Sequence, residues 1–198
     1  MPSFEAFQEE DYIPSVPLLD QIIVRTEALG FNMASEPRTG AFLRALAASK
    51  PQGCFLELGT GTGIATTWLL AGMDASSQLT SVDIDPQVQA VAREFLGHDP
   101  RLRLLLEDGL QFLRKEPAES YDFIFADAMP GKYEGLAECL RLVKPGGFYV
   151  IDDMLPQANW PEGHAEKVPA LLRKLAGDPG LVMVPLAWAS GLAVAVKR

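Results

Sequence analysis

The sequence is poor in cysteine, in histidine and in clustered positive charge. It has two cysteines and two histidines, and 17 Lys and Arg residues stand against 26 Asp and Glu residues, which gives a net charge of −9. No run of Lys or Arg is longer than two. Binding to nucleic acid or to an anionic membrane draws on a basic surface. The composition therefore argues against both partners.

Long apolar runs are also missing. No stretch approaches the length needed to span a bilayer, and the acidic N-terminus lacks the basic patch and apolar run of a signal peptide. Cys54 and Cys139 lie far apart without metal-ligand spacing, which is typical of small core residues in a reducing compartment. We expect a cytoplasmic protein.

The chain is long enough for one well-buried domain. Its 198 residues are 48% hydrophobic, but they are too few for a cofactor domain plus a separate substrate domain. The sequence predicts a single domain over 1–198. Two helices are predicted before the first strand, at 18–29 and from Pro37 to about 49, with Ser35 as a cap. We expect this N-terminal part, about 1–50, to cover the functional site.

From Phe55 onward, strand and helix patterns alternate. This predicts an α/β fold with a doubly wound, mostly parallel, seven-stranded sheet. The predicted strands are 55–58, 79–83, 102–106, 121–126, 147–151, 181–186 and 192–196. The predicted helices between them are 63–72, 86–96, 110–115, 133–143 and 164–176. A short link containing Ser190-Gly191 joins the last two strands with hairpin spacing, so the sheet is predicted to end in an antiparallel strand.

The stretch Phe55-Leu-Glu-Leu-Gly-Thr-Gly-Thr-Gly63 stands between the first strand and its helix. Glycine there permits positive φ and lets a ligand approach the main chain closely. The spacing is Gly-x-Gly-x-Gly, whereas a dinucleotide fold uses Gly-x-Gly-x-x-Gly. Glu57 at the floor of the turn suits the cationic end of a ligand. An NAD-dependent oxidoreductase stays as an alternative, opposed by this spacing.

Acidic residues follow the other strands. Asp83 comes 24 residues after Gly59, where a carboxylate can accept hydrogen bonds from the two hydroxyls of a ribose. Asp85-Pro86 is better explained as a helix cap and first turn. Asp108-Gly109 suits the edge of a purine ring, although helix capping by Asp108 explains it nearly as well. Asp127 and the pair Asp152-Asp153 end two later strands.

These motifs, together with Leu142-Val-Lys-Pro-Gly-Gly147, resemble class I S-adenosylmethionine-dependent methyltransferases. Within them the chain most resembles the cation-dependent O-methyltransferases of the catechol and caffeoyl-coenzyme A type. The resemblance implies transfer of a methyl group to a small hydroxylated, phenolic substrate. It implies cofactor contacts by Met33, Glu57, Gly59, Thr60, Gly61, Gly63, Asp83, Ile84, Asp108, Gly109 and Asp127. It also implies a divalent cation held by Asp127, Asp152 and Asp153, and a homodimer as in similar bacterial enzymes.

Two departures from the family pattern fall on the chemistry. The family's lysine, three residues after the first metal-binding Asp, corresponds to Pro130, so Lys132 is the candidate base beside Asp127. The family's Asn corresponds to Asp153, which adds a negative charge. These departures keep a second alternative, a protein that binds S-adenosylmethionine without catalysis. His164 follows a Trp-Pro-Glu-Gly loop and is predicted to be a surface or capping residue.

Overall fold

The computed structural model of the protein describes residues 7–160 and 162–198; the first six residues of the acidic N-terminal segment, and of the predicted domain, lie outside them. The strands are β1 (Cys54–Leu58), β2 (Gln78–Asp83), β3 (Leu102–Leu106), β4 (Tyr121–Ala126), β5 (Val143–Ile151), β6 (Leu181–Leu186) and β7 (Leu192–Lys197). The helices are α1 (Leu19–Leu29), α2 (Pro37–Ala48), α3 (Ile64–Gly72), α4 (Pro86–Leu96), α5 (Gly109–Lys115), α6 (Leu136–Leu142) and α7 (His164–Ala176), preceded by one 3₁₀ turn, Glu9–Tyr12.

The strands form one seven-stranded sheet in the order β3-β2-β1-β4-β5-β7-β6. The first five strands pair in parallel, and β7 runs antiparallel to both β5 and β6. The predicted fold class, with its antiparallel C-terminal strand, is confirmed. The hairpin pairs Leu186 of β6 with Leu192 of β7. Because β7 also pairs with β5, it lies inside the sheet and β6 lies at its edge.

Alternate side chains of the central strands feed two cores, one on each face of the sheet. Leu56 and Ile124 belong to the core under α5, α6 and α7. Phe55 and Phe123 belong to the core under the first four helices, and their rings lie 5.6 Å apart between centroids. Because both faces are covered, β1 and β4 are apolar at almost every position.

Local sequence determines several helix ends. The carboxylate of Asp85 accepts hydrogen bonds from the N–H groups of Gln87 and Val88, and Pro86 is the first residue of α4. This is the predicted cap. At the carboxyl end of α1, Gly30 takes the left-handed conformation, φ +70°, and ends the helix.

The predicted helix at 133–143 was too long. The observed α6 begins at Leu136, because the N–H groups of Lys132, Tyr133 and Glu134 all turn back to the carbonyl of Met129. Gly135 then takes φ +66° before the helix starts. Lys132 and Tyr133 therefore lie in a tight loop that follows β4, at the same edge of the sheet as the glycine turn.

The N-terminal helices pack on the helices that follow the first two strands. A side chain at Gly40 in α2 would meet Trp68 of α3 at 2.2 Å, so the two helices are in close contact there. α1 packs against α3 and α4. The link between α1 and α2 is thereby brought to the carboxyl ends of the strands. No helix among the described residues has the length and apolarity to cross a membrane.

Candidate active site

The main cavity lies where the carboxyl ends of the parallel strands meet, as expected for an open α/β sheet. Its walls come from the glycine turn after β1, the ends of β2, β3 and β4, and the link between α1 and α2. The predicted cofactor residues on its wall are Met33, Gly59, Thr60, Gly61, Asp83, Ile84, Asp108, Gly109 and Asp127. Nine of the eleven predicted cofactor residues therefore lie on this wall, and Glu57 and Gly63 do not.

The glycine turn has the backbone that its composition suggested. Gly59, Gly61 and Gly63 all have positive φ, at +98°, +52° and +92°. A side chain on Gly59 would come within 2.7 Å of the carbonyl oxygen of Asp127. Gly59 therefore lets the ends of β1 and β4 approach each other, and it keeps the wall of the cavity free of side chains.

Gly63 is also required, but for a different reason from the predicted one. It does not line the cavity, and a side chain there would lie 2.8 Å from the Cβ of Ala92 in α4. Its role is close packing of α3 against α4. The predicted contact of Gly63 with a cofactor stays a prediction beside this structural role.

Glu57 lies below the turn rather than on the cavity wall. Its side chain is fully buried, and one carboxylate oxygen accepts hydrogen bonds from the hydroxyls of Thr66 and Ser81. The other oxygen has no hydrogen-bond partner among the described residues. Burial raises the pKa of Glu57 to about 8, against the two hydroxyl donors that lower it. Glu57 therefore supports the turn from below, and its contact with the cationic end of a ligand stays a prediction.

Asp83 joins β2 to the glycine turn. One carboxylate oxygen accepts the N–H of Gly61 at 2.8 Å, and the other accepts the N–H of Asp85 at 2.9 Å. The side chain is thus held in one orientation at the edge of the cavity. Two carboxylate oxygens can each accept further hydrogen bonds, so this geometry suits the vicinal hydroxyls of a ribose.

The adjoining wall is apolar and exposed. The side chain of Ile84 is 68% exposed and that of Met33 is 52% exposed, although both lie on the cavity. Exposed large apolar side chains facing one cavity are suited to the faces of a planar ring. Asp108 caps α5 through the N–H of Gln111 and also lines the cavity, so both interpretations of this residue hold.

These features fit S-adenosylmethionine. The bare main chain after β1 matches its amino-acid end. The fixed carboxylate after β2 matches its ribose, and the exposed apolar side chains beside that carboxylate match its adenine. Gly59 and Gly61 leave space at the cavity wall that a Cβ at either position would narrow.

A second, more polar cavity adjoins the first. The two cavities share Met33, Ala34, Ser35, Asp127 and Asp153 as walls. Asp152 and Ser190 line only the second. The hydroxyl of Ser35 donates a hydrogen bond to Asp127 at 3.2 Å. Ser35 was predicted to cap α2, but α2 has Glu36 at that position and no side-chain cap.

The acidic side chains of the second cavity are buried and near one another. Burial raises the pKa of Asp127 well above its usual range, and the charge of Asp152 adds to this, whereas Lys132 opposes it. Burial also raises the pKa of Asp152, against the hydroxyl of Ser190, which donates to it. Lys132 Nζ lies 3.9 Å from Asp127 Oδ1, and the Lys132 side chain is only 3% exposed. Lys132 thus lies beside Asp127, and its role as a base stays a prediction.

The three acids do not form the expected metal site. Among residues 7–160 and 162–198, no three His, Cys, Asp or Glu side chains are arranged to hold an ion. Asp152 Oδ1 accepts hydrogen bonds from Ser190 and from the N–H of Asp153, so this oxygen is already engaged. In this arrangement the described acids do not converge on one ion, as a divalent-cation site requires.

His164 is a functional candidate that its sequence position did not reveal. It was expected at the surface, but it is 7% exposed and its Nε2 lies 3.0 Å from the Tyr133 hydroxyl. The Trp160 ring stacks on it at 4.4 Å between centroids. Burial lowers the pKa of His164, and the nearby Lys132 adds to this. Its contacts come from residues four and 31 positions away, which no local pattern predicts.

The cavity and the sheet order define the class of the protein, because the glycine turn, Asp83 and the antiparallel seventh strand together are the features of a class I methyltransferase. Residues 56–154 match the methyltransferase domain family. The chain belongs to this family and is an S-adenosylmethionine-dependent O-methyltransferase, as the resemblance predicted.

Proteins similar in sequence or in structure cover most of the chain. A protein of Mycolicibacterium vanbaalenii assigned as an O-methyltransferase is 31% identical over 174 residues, which cover 83% of this chain and 77% of the relative. The structure of a protein of Klebsiella pneumoniae assigned as an O-methyltransferase is 27% identical, with a TM-score of 0.80 over 96% of this chain and 93% of the other. An O-methyltransferase of Bacillus cereus solved with S-adenosylhomocysteine is 21% identical, with a TM-score of 0.82 and coverage of 96% and 94%. These findings do not favour an NAD-dependent oxidoreductase.

Proposed function

We propose that the protein methylates a hydroxyl oxygen of a small phenolic molecule bound in the second cavity. The observation that carries this proposal is the shared wall of the two cavities, where Met33, Ser35, Asp127 and Asp153 border both. Asp127 and Ser35 on this wall would lie beside the methionine part of a donor held along the first cavity. An acceptor in the second cavity then lies next to the methyl group.

Bound S-adenosylmethionine supplies an electrophilic methyl carbon: a C–O bond forms to the acceptor oxygen, the C–S bond breaks with its electron pair left on sulfur, and the hydroxyl proton is released. The role of the protein is mainly to position the acceptor. Asp127, fixed by Ser35, and Asp152, fixed by Ser190, present carboxylate oxygens that can accept the acceptor's hydroxyl proton in a hydrogen bond.

The size and lining of the second cavity support a small, hydroxylated acceptor. Gln157 and Asn159 add amide groups to the acidic side chains, and Met33 adds apolar surface. The Asn159 amide donates to the carbonyl of Asn32 at 2.6 Å, so the loop after β5 meets the link before α2 across the cavity. A phenolic ring with one or two hydroxyls matches this mixture of surfaces better than a purely apolar molecule does.

Turnover with a panel of acceptors tests the proposal. Incubation with S-adenosylmethionine and catechols, monophenols or aliphatic alcohols should give a product heavier by one methylene, detected by mass spectrometry, for catechols or monophenols. Asp152→Asn keeps the hydrogen bond to Ser190 but removes the charge, and we expect it to lower kcat about tenfold or more. Asp178→Asn, in the exposed turn after α7, is the matched control.

A protein that binds S-adenosylmethionine without catalysis gives a different result. It would bind the donor with an unchanged affinity in Asp152→Asn, and it would produce no methylated acceptor with any member of the panel. Binding together with turnover excludes this alternative, whereas binding without turnover across the panel contradicts the proposal.

Other properties stay predictions. The family resemblance predicts dependence on a divalent cation, whereas the arrangement of the acids argues against it, and turnover in EDTA against turnover in magnesium decides between the two. The homodimer is measured by light scattering on the purified protein. A cytoplasmic location is supported by the two free cysteines, Cys54 and Cys139.

A further inference from the structure

The second cavity concentrates negative charge in a buried place. Asp127 and Asp152 have side chains that are at most 13% exposed, and Asp153 follows directly in the chain. Buried carboxylates need a positive partner or strong hydrogen bonds to remain ionised. The hydroxyls of Ser35 and Ser190 supply hydrogen bonds, but they carry no charge.

Lys132 is the cation that the structure places there. Its side chain is 3% exposed, and its Nζ lies 3.9 Å from Asp127 Oδ1. Its charge also acts on Asp152, where it opposes the rise in pKa that burial causes, and on His164, where it adds to the fall in pKa that burial causes. A lysine buried to this extent is almost always paired.

The loop that carries Lys132 is held in place. The Tyr149 hydroxyl donates to the carbonyl of Gly131, and the N–H of Lys132 donates to the carbonyl of Met129 at 3.3 Å. Gly131 has φ +83°, and a side chain there would meet Leu58 at 2.3 Å. The backbone of this loop is therefore fixed, and the Lys132 side chain that it carries is enclosed by the protein.

We infer that Lys132 supplies the positive charge of this acidic cavity in place of a divalent cation, so that methyl transfer needs no added metal. This inference rests on the proposed function. It accounts for two observations together. The acids do not converge on an ion, and the nearest cation is the buried Lys132. This lysine lies two residues beyond Pro130, the position that corresponds to the family's own lysine. A divalent ion in this cavity would meet the like charge of Lys132 at short range.

Titration of the purified protein with Mn²⁺ alone, followed by calorimetry and by thermal shift, tests the inference without reference to activity. We expect no saturable binding to the wild type. Lys132→Met leaves the acids without their cation, and we expect this variant to gain saturable Mn²⁺ binding and a rise in Tm when the ion is added. Lys132→Arg keeps the charge and should behave as the wild type.

Lys167→Met is the matched control. Lys167 lies 5.7 Å from the centroid of the Tyr133 ring but is exposed on α7, outside the acidic cavity. Its removal should leave Mn²⁺ binding unchanged. Stoichiometric Mn²⁺ binding by the wild type that Asp152→Asn abolishes would overturn the inference, as would an unchanged Mn²⁺ affinity in folded Lys132→Met. If Lys132→Met does not fold, the wild type and Lys132→Arg titrations decide.

Turnover gives a second readout. With the best acceptor of the panel, EDTA should leave wild-type kcat unchanged. Lys132→Met should lose kcat and recover part of it when Mn²⁺ is added. Lys132→Arg, which keeps the charge, should retain kcat without metal. Loss of wild-type turnover in EDTA would contradict the inference. Absence of turnover under every condition would instead contradict the proposed function and leave the Mn²⁺ titrations to be interpreted by themselves.

Discussion

Glu57 illustrates how a residue in a recognisable motif can support a turn through buried hydrogen bonds. Its acidic character and its place before the first glycine suggested a contact with a cationic group. In the structure it lies under the turn, bonded to Thr66 and Ser81, with one oxygen unpartnered among the described residues. A neutral carboxyl group is favoured there, because an ionised one would be buried without a cation.

Glu57→Gln tests this interpretation through the pH dependence of stability. The pKa is about 8 in the folded protein and ordinarily 4.5, so the folded state holds the proton more tightly. The contribution of Glu57 is therefore complete below about pH 4.5 and is lost as the pH rises towards 8. Relative to Glu57→Gln, the wild type should lose on the order of 3 to 5 kcal/mol of unfolding free energy across this window.

Denaturant unfolding at several pH values between 5 and 8.5 gives the comparison, and taking the difference between wild type and variant removes the titration of other buried acids. Glu94→Gln, at an exposed position in α4, serves as the control and should follow the wild type. Parallel pH profiles for wild type and Glu57→Gln would show that Glu57 is ionised in the folded protein.

At this scale the sequence predicted residues whose roles depend on near neighbours in the chain. Asp85 caps the helix that it precedes, and Asp83 ends its strand at the cavity. Ser35 and His164 were wrongly interpreted, since their partners Asp127 and Tyr133 lie 92 and 31 residues away. Only the fold brings these pairs together, so no local pattern contains the information.

Among the elements, the glycine turn joins two functions in five residues. Gly59 and Gly61 leave main chain open on the cavity, and Gly63 allows α3 to approach α4. All three have positive φ, but only their surroundings distinguish them. The turn therefore depends on packing behind it as much as on the ligand in front of it.

Gly63→Ala and Gly30→Ala separate these contributions to stability. Both glycines have positive φ, but a methyl group at Gly30 meets nothing within 4 Å, whereas at Gly63 it meets Ala92 at 2.8 Å. We expect Gly30→Ala to cost about 1 to 2 kcal/mol from the backbone alone. Gly63→Ala should cost roughly 2 kcal/mol more because α4 must move. Urea unfolding measures both, and equal losses would contradict close packing of α3 on α4.

Element boundaries were predicted well where capping residues fix them. The helix at 86–96 starts as predicted because Asp85 and Pro86 specify its first turn. It also ends as predicted, before Gly97. The helix expected at 133–143 lost its first three residues to a loop. Its apolar periodicity continues into that loop, but Gly131 and Gly135 take left-handed conformations and the backbone turns back on Met129. Periodicity alone does not detect such a reversal.

For the whole molecule, the alternation of strands and helices was sufficient to predict a mostly parallel sheet with a terminal hairpin. The insertion of β7 between β5 and β6 was not predicted, since hairpin spacing gives the pairing of β6 with β7 but not which of them faces β5. The second cavity likewise depends on segments far apart in sequence, the 33–36 link and residues 152–159. Their meeting is a property of the complete fold.

The central claim is that the main cavity binds S-adenosylmethionine with Asp83 on its ribose, and isothermal titration calorimetry tests it most directly. Asp83→Asn removes the charge on the cavity wall, and Asp85→Asn makes the same change two residues away in a helix cap. We expect 1:1 binding of S-adenosylmethionine and S-adenosylhomocysteine to the wild type and to Asp85→Asn, binding about tenfold or more weaker to Asp83→Asn, and no heat with NAD. Absence of heat with both sulfur nucleosides in the folded wild type, or equal affinity in Asp83→Asn, would contradict the account.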